Sequence, residues 1–154
     1  MIGPFENQYR FLSNFSLSEI HYDGIFYSTV EHAFQAAKSM KYEEKICVAK
    51  LATPGEAKKY GKKVQLRPDW NEVKVYIMWD LVKKKFECEK LRQMLLDTGD
   101  EELVEVNSWN DCFWGVCEGK GENYLGRILM HIRREIKSGS HFEFSGLQPL
   151  LPIK

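Results

Sequence analysis

The stretch Ser28-Thr29-Val30-Glu31-His32-Ala33-Phe34-Gln35-Ala36-Ala37-Lys38 constrains the fold more than any other part of this chain. Ser28 and Glu31 have capping-box spacing, a hydroxyl and a carboxylate that answer the unpaired amides of a first helical turn. Val30, Ala33, Phe34 and Ala37 recur at helical spacing and define the face to be buried. On the same helix Glu31, Gln35 and Lys38 stand at i, i+4 and i+7 and form one polar stripe. A stripe that carries a carboxylate, an amide and an amine can line the floor of a cleft. The same spacing equally describes an amphipathic helix with a solvated face. His32, taken alone, reads as a packing or surface histidine.

Helix signals continue along the chain. A second helix is predicted over 42–51. Thr53-Pro54-Gly55-Glu56 supplies an N-cap with proline at the first helical position, opening a short helix that Gly61 closes. Pro68 opens a long helix running to about Phe86, with Val73, Ile77 and Leu81 inside. Leu91, Met94 and Leu95 mark another, stopped near Thr98-Gly99-Asp100, and a final helix is predicted from about Glu122 to Lys137. Strand signals are fewer. Ile20 to Tyr27 is rich in β-branched and aromatic residues around Asp23-Gly24, the pattern of a hairpin. Leu103, Val104 and Val106 fit either a brief strand or a helix extension. Residues 107–121 read as a loop, and 138–154 as a Gly/Ser-punctuated tail carrying Phe142, Phe144, Leu147, Leu150 and Leu151. The sum is an α+β, predominantly helical fold with a minor β-sheet: one domain over 1–137 and a C-terminal tail over 138–154.

Composition narrows the class of function. Lys+Arg and Asp+Glu are both 22, so the chain lacks the basic excess of a protein that coats nucleic acid. Lys58, Lys59, Lys62 and Lys63, and Lys83, Lys84 and Lys85, lie among acidic residues and read as solvated helix faces. The opening MIGPFENQYR shows no charged segment leading into an apolar one, and no apolar run approaches the roughly 18 residues of a membrane span. A cytoplasmic address and no membrane partner are expected. Cys47, Cys88, Cys112 and Cys117 are scattered and fit reduced thiols. They form no CxxC, the histidines form no HxxxH, and no metal site is expected.

Two further constellations carry chemistry. In Trp109-Asn110-Asp111-Cys112-Phe113-Trp114-Gly115, three aromatics surround one aspartate. They either pack the loop onto the core or form a stacking wall for a flat ligand, while the carboxylate suits acid–base work. In Gly121-Glu122-Asn123-Tyr124-Leu125-Gly126-Arg127, a glycine at a helix start lets backbone amides approach an anion, with Arg127 one turn further in. The alternative is an ordinary helix N-terminus in which Gly126 permits close packing.

Taken in order, these segments resemble the NADAR, or YbiA-like, family of N-glycosidases. The matching pieces are Phe11-Leu12-Ser13-Asn14-Phe15, Tyr27 to Gln35 with Lys38, Arg67-Pro68-Asp69-Trp70, and Lys85-Phe86. They continue through Leu96-Asp97-Thr98-Gly99-Asp100, Leu103-Val104-Glu105, Asp111 to Gly115 and Gly121 to Arg127. The resemblance spans about residues 5 to 135. Val116-Cys117-Glu118 departs from the glycines that relatives often carry after the Trp-Gly pair.

The resemblance implies hydrolysis of a C1′–N bond, with phosphorylated riboflavin-pathway intermediates and ADP-ribose linked to guanine as the family's substrates. It places the important acids and aromatic on Glu31, Asp111 and Trp70, and the helix lysine on Lys38. Cleaving C1′–N builds positive charge on the sugar, and the nitrogen leaves better when protonated, so two carboxylates can divide the work. Glu31 is assigned to acid–base catalysis and Asp111 to the sugar hydroxyls or the cation. Lys38 is a candidate to trap the opened sugar aldehyde as a Schiff base. Trp70 and Trp114 are candidates for stacking, and Arg127 with the amides near Gly121 for phosphate. Asn14 and Asn123 join them as substrate-binding candidates. The expected partner is a small phosphorylated ribose N-glycoside or ADP-ribose-type substrate, with no cofactor or metal. The alternatives are an ADP-ribosyl-guanine hydrolase acting on nucleosides or nucleic acid, and a non-catalytic ADP-ribose-binding module. The presence of Glu31, Lys38 and Asp111 together favours an enzyme, and the neutral charge balance leans toward a small substrate.

Overall fold

The computed structural model describes residues 1–139, so most of the predicted 138–154 tail lies outside the described residues. It is α+β and predominantly helical, with two small two-stranded sheets among those residues. The described chain divides into two compact units, Asn14–Lys85 and Met1–Ser13 with the described residues from Phe86.

The Asn14–Lys85 unit opens on the predicted hairpin. Strands β1 (Ile20–Tyr22) and β2 (Ile25–Tyr27) pair antiparallel, with Tyr22 opposite Ile25. Asp23 and Gly24 make the connection at φ of 54° and 78°, the left-handed pair that a tight hairpin turn requires. Four helices follow: α1 (Val30–Ala37), α2 (Tyr42–Ala49), α3 (Pro54–Gly61) and α4 (Trp70–Lys85). Helix α1 is central and packs against each of the other three. All eight of its residues are buried, so the solvated face allowed by its spacing does not exist.

Two helix starts differ from the expected ones. Helix α1 is capped by Thr29, not Ser28: Thr29 Oγ1 accepts from the His32 amide at 3.0 Å. Glu31 is therefore at the second helical position and its side chain is released from capping. A reciprocal cap does occur at α3, where Thr53 Oγ1 accepts from the Glu56 amide at 3.1 Å and Glu56 Oε2 from the Ala52 amide at 3.2 Å. Pro68 precedes α4, which begins at Trp70 and runs to Lys85 with Ile77, Met78, Trp79, Leu81 and Val82 buried. Lys85 is 2% exposed and donates to Ser16 Oγ at 3.0 Å, so the Lys83–Lys85 group is not wholly a solvated face.

In the other unit, a 3₁₀ turn (Asn7–Leu12) is followed, after the intervening unit, by α5 (Glu89–Leu96), which ends before Gly99 at φ 65°. Leu103 bridges Ile2 in parallel. Strands β3 (Val106–Asn107) and β4 (Val116–Cys117) pair in parallel, so the chain from 103 to 107 is extended and not a continuation of α5. Helix α6 (Tyr124–Ser138) packs against α5 and buries Leu125, Ile128, Leu129 and Ile132.

Candidate active site

Helix α1 carries the first group of site residues, and its start is fixed by buried hydrogen bonds. His32 is fully buried, with Nδ1 2.7 Å from Thr29 Oγ1 and Nε2 3.0 Å from the Leu51 carbonyl oxygen. A carbonyl only accepts, so Nε2 carries the proton and Nδ1 receives the Thr29 hydroxyl hydrogen. The ring thus clamps the helix to the turn after α2 and is not placed as a catalyst. The neighbouring Glu31 amide donates to the Asn14 carbonyl oxygen at 3.1 Å, while Asn14 Nδ2 reaches Met78 Sδ at 3.4 Å. Asn14 is buried, and its shown part is to seat the helix start.

Glu31 is 7% exposed, and its Oε1 accepts from Gln35 Nε2 at 2.7 Å. One turn further, Lys38 sits half-buried at the end of α1. Its Nζ lies 6.0 Å from the centroid of the Trp70 ring and makes no hydrogen bond or ion pair among the described residues. Burial holds the Lys38 amine below the ordinary lysine value. Glu31 opposes that effect, and Lys58, Lys62 and Lys74 add to it. Trp70 is buried against Phe34, ring centroids 5.0 Å apart at 53°. The Arg67 amide donates to the Lys38 carbonyl oxygen at 2.8 Å, tying the chain before α4 to the end of α1. Glu31, Lys38 and Trp70 are thus brought together on packed elements of one unit, with Gln35 between the two charged groups on the helix.

Asp111, Trp114, Gly121, Asn123 and Arg127 belong to the other unit. Asp111 is held on both sides by Asn107, whose Oδ1 accepts from the Asp111 amide at 2.9 Å and whose Nδ2 donates to the Asp111 carbonyl oxygen at 2.8 Å. Asp111 Oδ1 accepts from the amides of Phe113 and Trp114 at 3.1 and 2.9 Å. Oδ2 makes no hydrogen bond among the described residues, so one carboxylate oxygen shapes the loop and the other is uncommitted. Phe113 packs edge-on to Trp114 and stacks on Tyr124 at 4.6 Å, whereas Trp109 is 58% exposed. Of the two roles open to these aromatics, Phe113 packs the loop onto α6.

The start of α6 is not an open cradle of amides. Those of Glu122, Asn123, Tyr124 and Leu125 donate to the carbonyl oxygens of Cys112, Gly115, Phe113 and Trp114. Gly121, at φ 148°, is needed for close approach, since a Cβ there would overlap the Gly115 carbonyl oxygen. Both ends of the buried Asn123 amide are used on backbone, accepting from the Glu105 amide at 3.0 Å and donating to the Leu103 carbonyl oxygen at 2.9 Å. Arg127 is half-buried, its guanidinium 4.8 Å from the Tyr124 ring centroid and 4.0 Å from Glu122. An anion near this helix start would therefore be met by Arg127, because these four amides are taken.

Sequence reasoning passed over two residues that shape these groups. Gln35 was visible four positions after Glu31, but only as part of a stripe. Asn107 stands four residues before Asp111 and carried no signal. Among the described residues, no group of three or more His, Cys, Asp or Glu side chains is placed to hold a metal, and no helix is long and apolar enough to cross a membrane.

The sequence model of the NADAR domain matches residues 2–137. The chain is 43% identical over 137 residues to an N-glycosidase of Nostoc punctiforme, covering 84% of this chain and 87% of that protein. It is 38% identical over 136 residues to N-glycosidase YbiA of Escherichia coli, covering 84% and 83%. A riboflavin biosynthesis protein of Vibrio vulnificus is 38% identical over 140 residues, but the chain spans only 37% of its length. The solution structure of Escherichia coli YbiA superposes with a TM-score of 0.78 at 33% identity, covering 93% of this chain and 88% of that one.

Proposed function

Because this chain belongs to the NADAR domain family, we propose that it hydrolyses the C1′–N bond of a ribosylated, phosphate-bearing substrate of the riboflavin-intermediate class. That it is a hydrolase of N-glycosyl bonds follows from N-glycosidase relatives at 38–43% identity over most of its length. The finer reading draws support from relatives named for riboflavin biosynthesis, which match over part of their own length.

The observation that carries the mechanism is the arrangement on α1: a buried carboxylate, Glu31, oriented by an amide and followed by a half-buried amine at Lys38 that lacks a hydrogen-bond partner among the described residues. Lys38 is not in the place that stability alone would choose, since burying charge costs free energy unless it is matched. Such placements cluster where chemistry is done. In this reading Glu31 moves the proton: it activates water or protonates the departing nitrogen as positive charge builds at C1′. Asp111 offers its uncommitted oxygen to sugar hydroxyls or to the cation. Lys38 supplies either positive charge or, when unprotonated, a nucleophile. In the latter role its nitrogen adds at C1′ as the C1′–N bond breaks and the base leaves with a proton from Glu31. The sugar ring opens to the imine, and water hydrolyses the imine to free the sugar and return the amine. Trp70 and Trp114 are the aromatic candidates beside the base or sugar, and Arg127 is the candidate for phosphate.

The test is incubation with phosphorylated riboflavin-pathway intermediates, ADP-ribosyl-guanosine and ADP-ribosylated DNA, with released bases identified by mass spectrometry. Release of base from the riboflavin intermediates is expected. Release from the guanine adducts alone would move the function to reversal of guanine ADP-ribosylation. Release from none would leave a nucleotide-binding module and overturn the proposal.

A further inference from the structure

We propose that Gln35 is the positioning residue of the Glu31 carboxylate and that Gly61 on α3 is the residue that makes room for it; this inference rests on the assignment of Glu31 to acid–base work. Gln35 is 4% exposed, yet only one end of its amide is matched. Nε2 donates to Glu31 Oε1 at 2.7 Å, while Oε1 is fully buried and has no hydrogen-bond partner among the described residues. An unmatched buried carbonyl oxygen is costly and calls for an explanation. Here the amide is spent on the carboxylate, and the other end is left against α3.

The space at that end is supplied by Gly61. A Cβ at this position would overlap Gln35 Oε1 and come 2.8 Å from Cδ and 3.2 Å from Cβ of the same side chain. The glycine is the last residue of α3, and Lys62 beyond it keeps right-handed helical geometry, so Gly61 does not serve as a left-handed helix stop. Its missing side chain is what the fold uses. Any substituent there must push the Gln35 amide away from its present place, and Gln35 has no exposed route to take.

An N–H donor aimed at a carboxylate favours its ionised form and fixes which lone pairs remain for a reactant. Gln35 does both for Glu31 from one turn along the same helix. In the base role, Gln35 holds the carboxylate oriented for the proton it is to accept. The charged groups that act on the neighbouring Lys38, namely Glu31, Lys58, Lys62 and Lys74, are all retained when Gln35 or Gly61 is changed.

The experiment compares Gln35→Met, Gly61→Ala, their double variant and Glu31→Gln on the substrate that the panel above identifies, with thermal unfolding of each. Gln35→Met keeps the volume and removes the donor; Gly61→Ala leaves Gln35 chemically intact and carries the test if Gln35→Met does not fold. Both single variants are expected to lose about tenfold or more in kcat with KM within about twofold, as for loss of a hydrogen bond to a charged group. The acidic limb of the kcat/KM profile should move to higher pH in both, a change that mere loosening of the helix packing would not produce. The double variant should be no worse than the poorer single one, because both act through one amide. If Glu31→Gln is inactive while Gln35→Met and Gly61→Ala keep the wild-type kcat and limb, the positioning role is overturned and the Glu31 assignment stands. If Glu31→Gln keeps wild-type activity, both fall together.

Discussion

Lys38 Nζ lies 6.0 Å from the centroid of the Trp70 indole, at the point where the end of α1 meets the start of α4. The contact is long for a cation–π interaction of any strength. It leaves the amine beside an aromatic face with no hydrogen-bond partner among the described residues. That setting suits an amine that reacts. Sodium borohydride added during turnover should leave a sugar-derived mass on Lys38, found by peptide mapping. Lys38→Ala and Lys38→Arg should both abolish turnover, since arginine keeps the charge but cannot form the imine. Retention of most activity in Lys38→Arg with no adduct would make the lysine an electrostatic group and leave the reaction to Glu31 and Asp111.

The same lysine links stability to pH. Burial lowers its pKa in the folded chain, so in the window between the folded value and the ordinary 10.5 the unfolded chain holds more protons. Stability therefore rises as pH rises through that window, and below it the cost of burying the charged amine is present in full. Lys38→Met removes this cost. The variant should exceed the parent in stability at neutral pH, and its advantage should shrink as pH approaches 10.5, measured by urea unfolding at several pH values. An advantage that does not change with pH would contradict the assignment of the shift to burial.

The overall architecture was legible because helix signals are local. Thr53-Pro54, the Asp23-Gly24 turn and the spacing of Val30, Ala33, Phe34 and Ala37 each act within a few residues and act as expected. What was hidden depends on partners distant in sequence. Whether Glu31 and Gln35 face water or protein is decided by α3 and α4 closing over α1, and no periodicity within α1 reports that. Thr29, the cap in place of Ser28, also meets His32 Nδ1, and the other nitrogen of that ring is held by Leu51, far along the chain. The amides at the start of α6 looked available from Gly121 alone, yet the loop 112–115 folds back to take them. Both sheet pieces of that unit are two residues long, too short for alternation to show.

Asp111 separates charge from architecture. Its Oδ1 accepts two amides, which an asparagine oxygen also can, whereas only the carboxylate carries charge. Asp111→Asn should keep the near-ultraviolet signature of the folded Trp109–Trp114 loop while losing at least about tenfold in kcat/KM, as expected for one charge-assisted contact. Asp111→Ala should lose both the loop signature and activity. Full activity in Asp111→Asn would reduce the residue to a loop anchor.

Asn123 is expected to matter for stability. It is buried at φ 53°, a conformation that asparagine tolerates and alanine does not, and it matches two backbone groups of the 103–105 segment. Asn123→Ala strands both groups and strains the backbone, at roughly 2–4 kcal/mol. Asn123→Gly relieves only the strain and should fall between the two. Chemical denaturation measures the order; equal stability of Asn123→Ala and the parent would contradict the hydrogen-bond account.

The central claim is that the buried carboxylate of Glu31 performs the proton transfer of N-glycoside hydrolysis. Single-turnover kinetics of Glu31→Gln, on the substrate whose base the wild-type chain releases, tests it most directly. The amide preserves shape and can still meet Gln35, so folding should survive, with an unfolding temperature close to the parent's. The account predicts that the rate of C1′–N cleavage falls by about a hundred- to ten-thousandfold, the usual share of general acid–base catalysis. A folded Glu31→Gln protein that cleaves within a fewfold of the wild-type rate would contradict it.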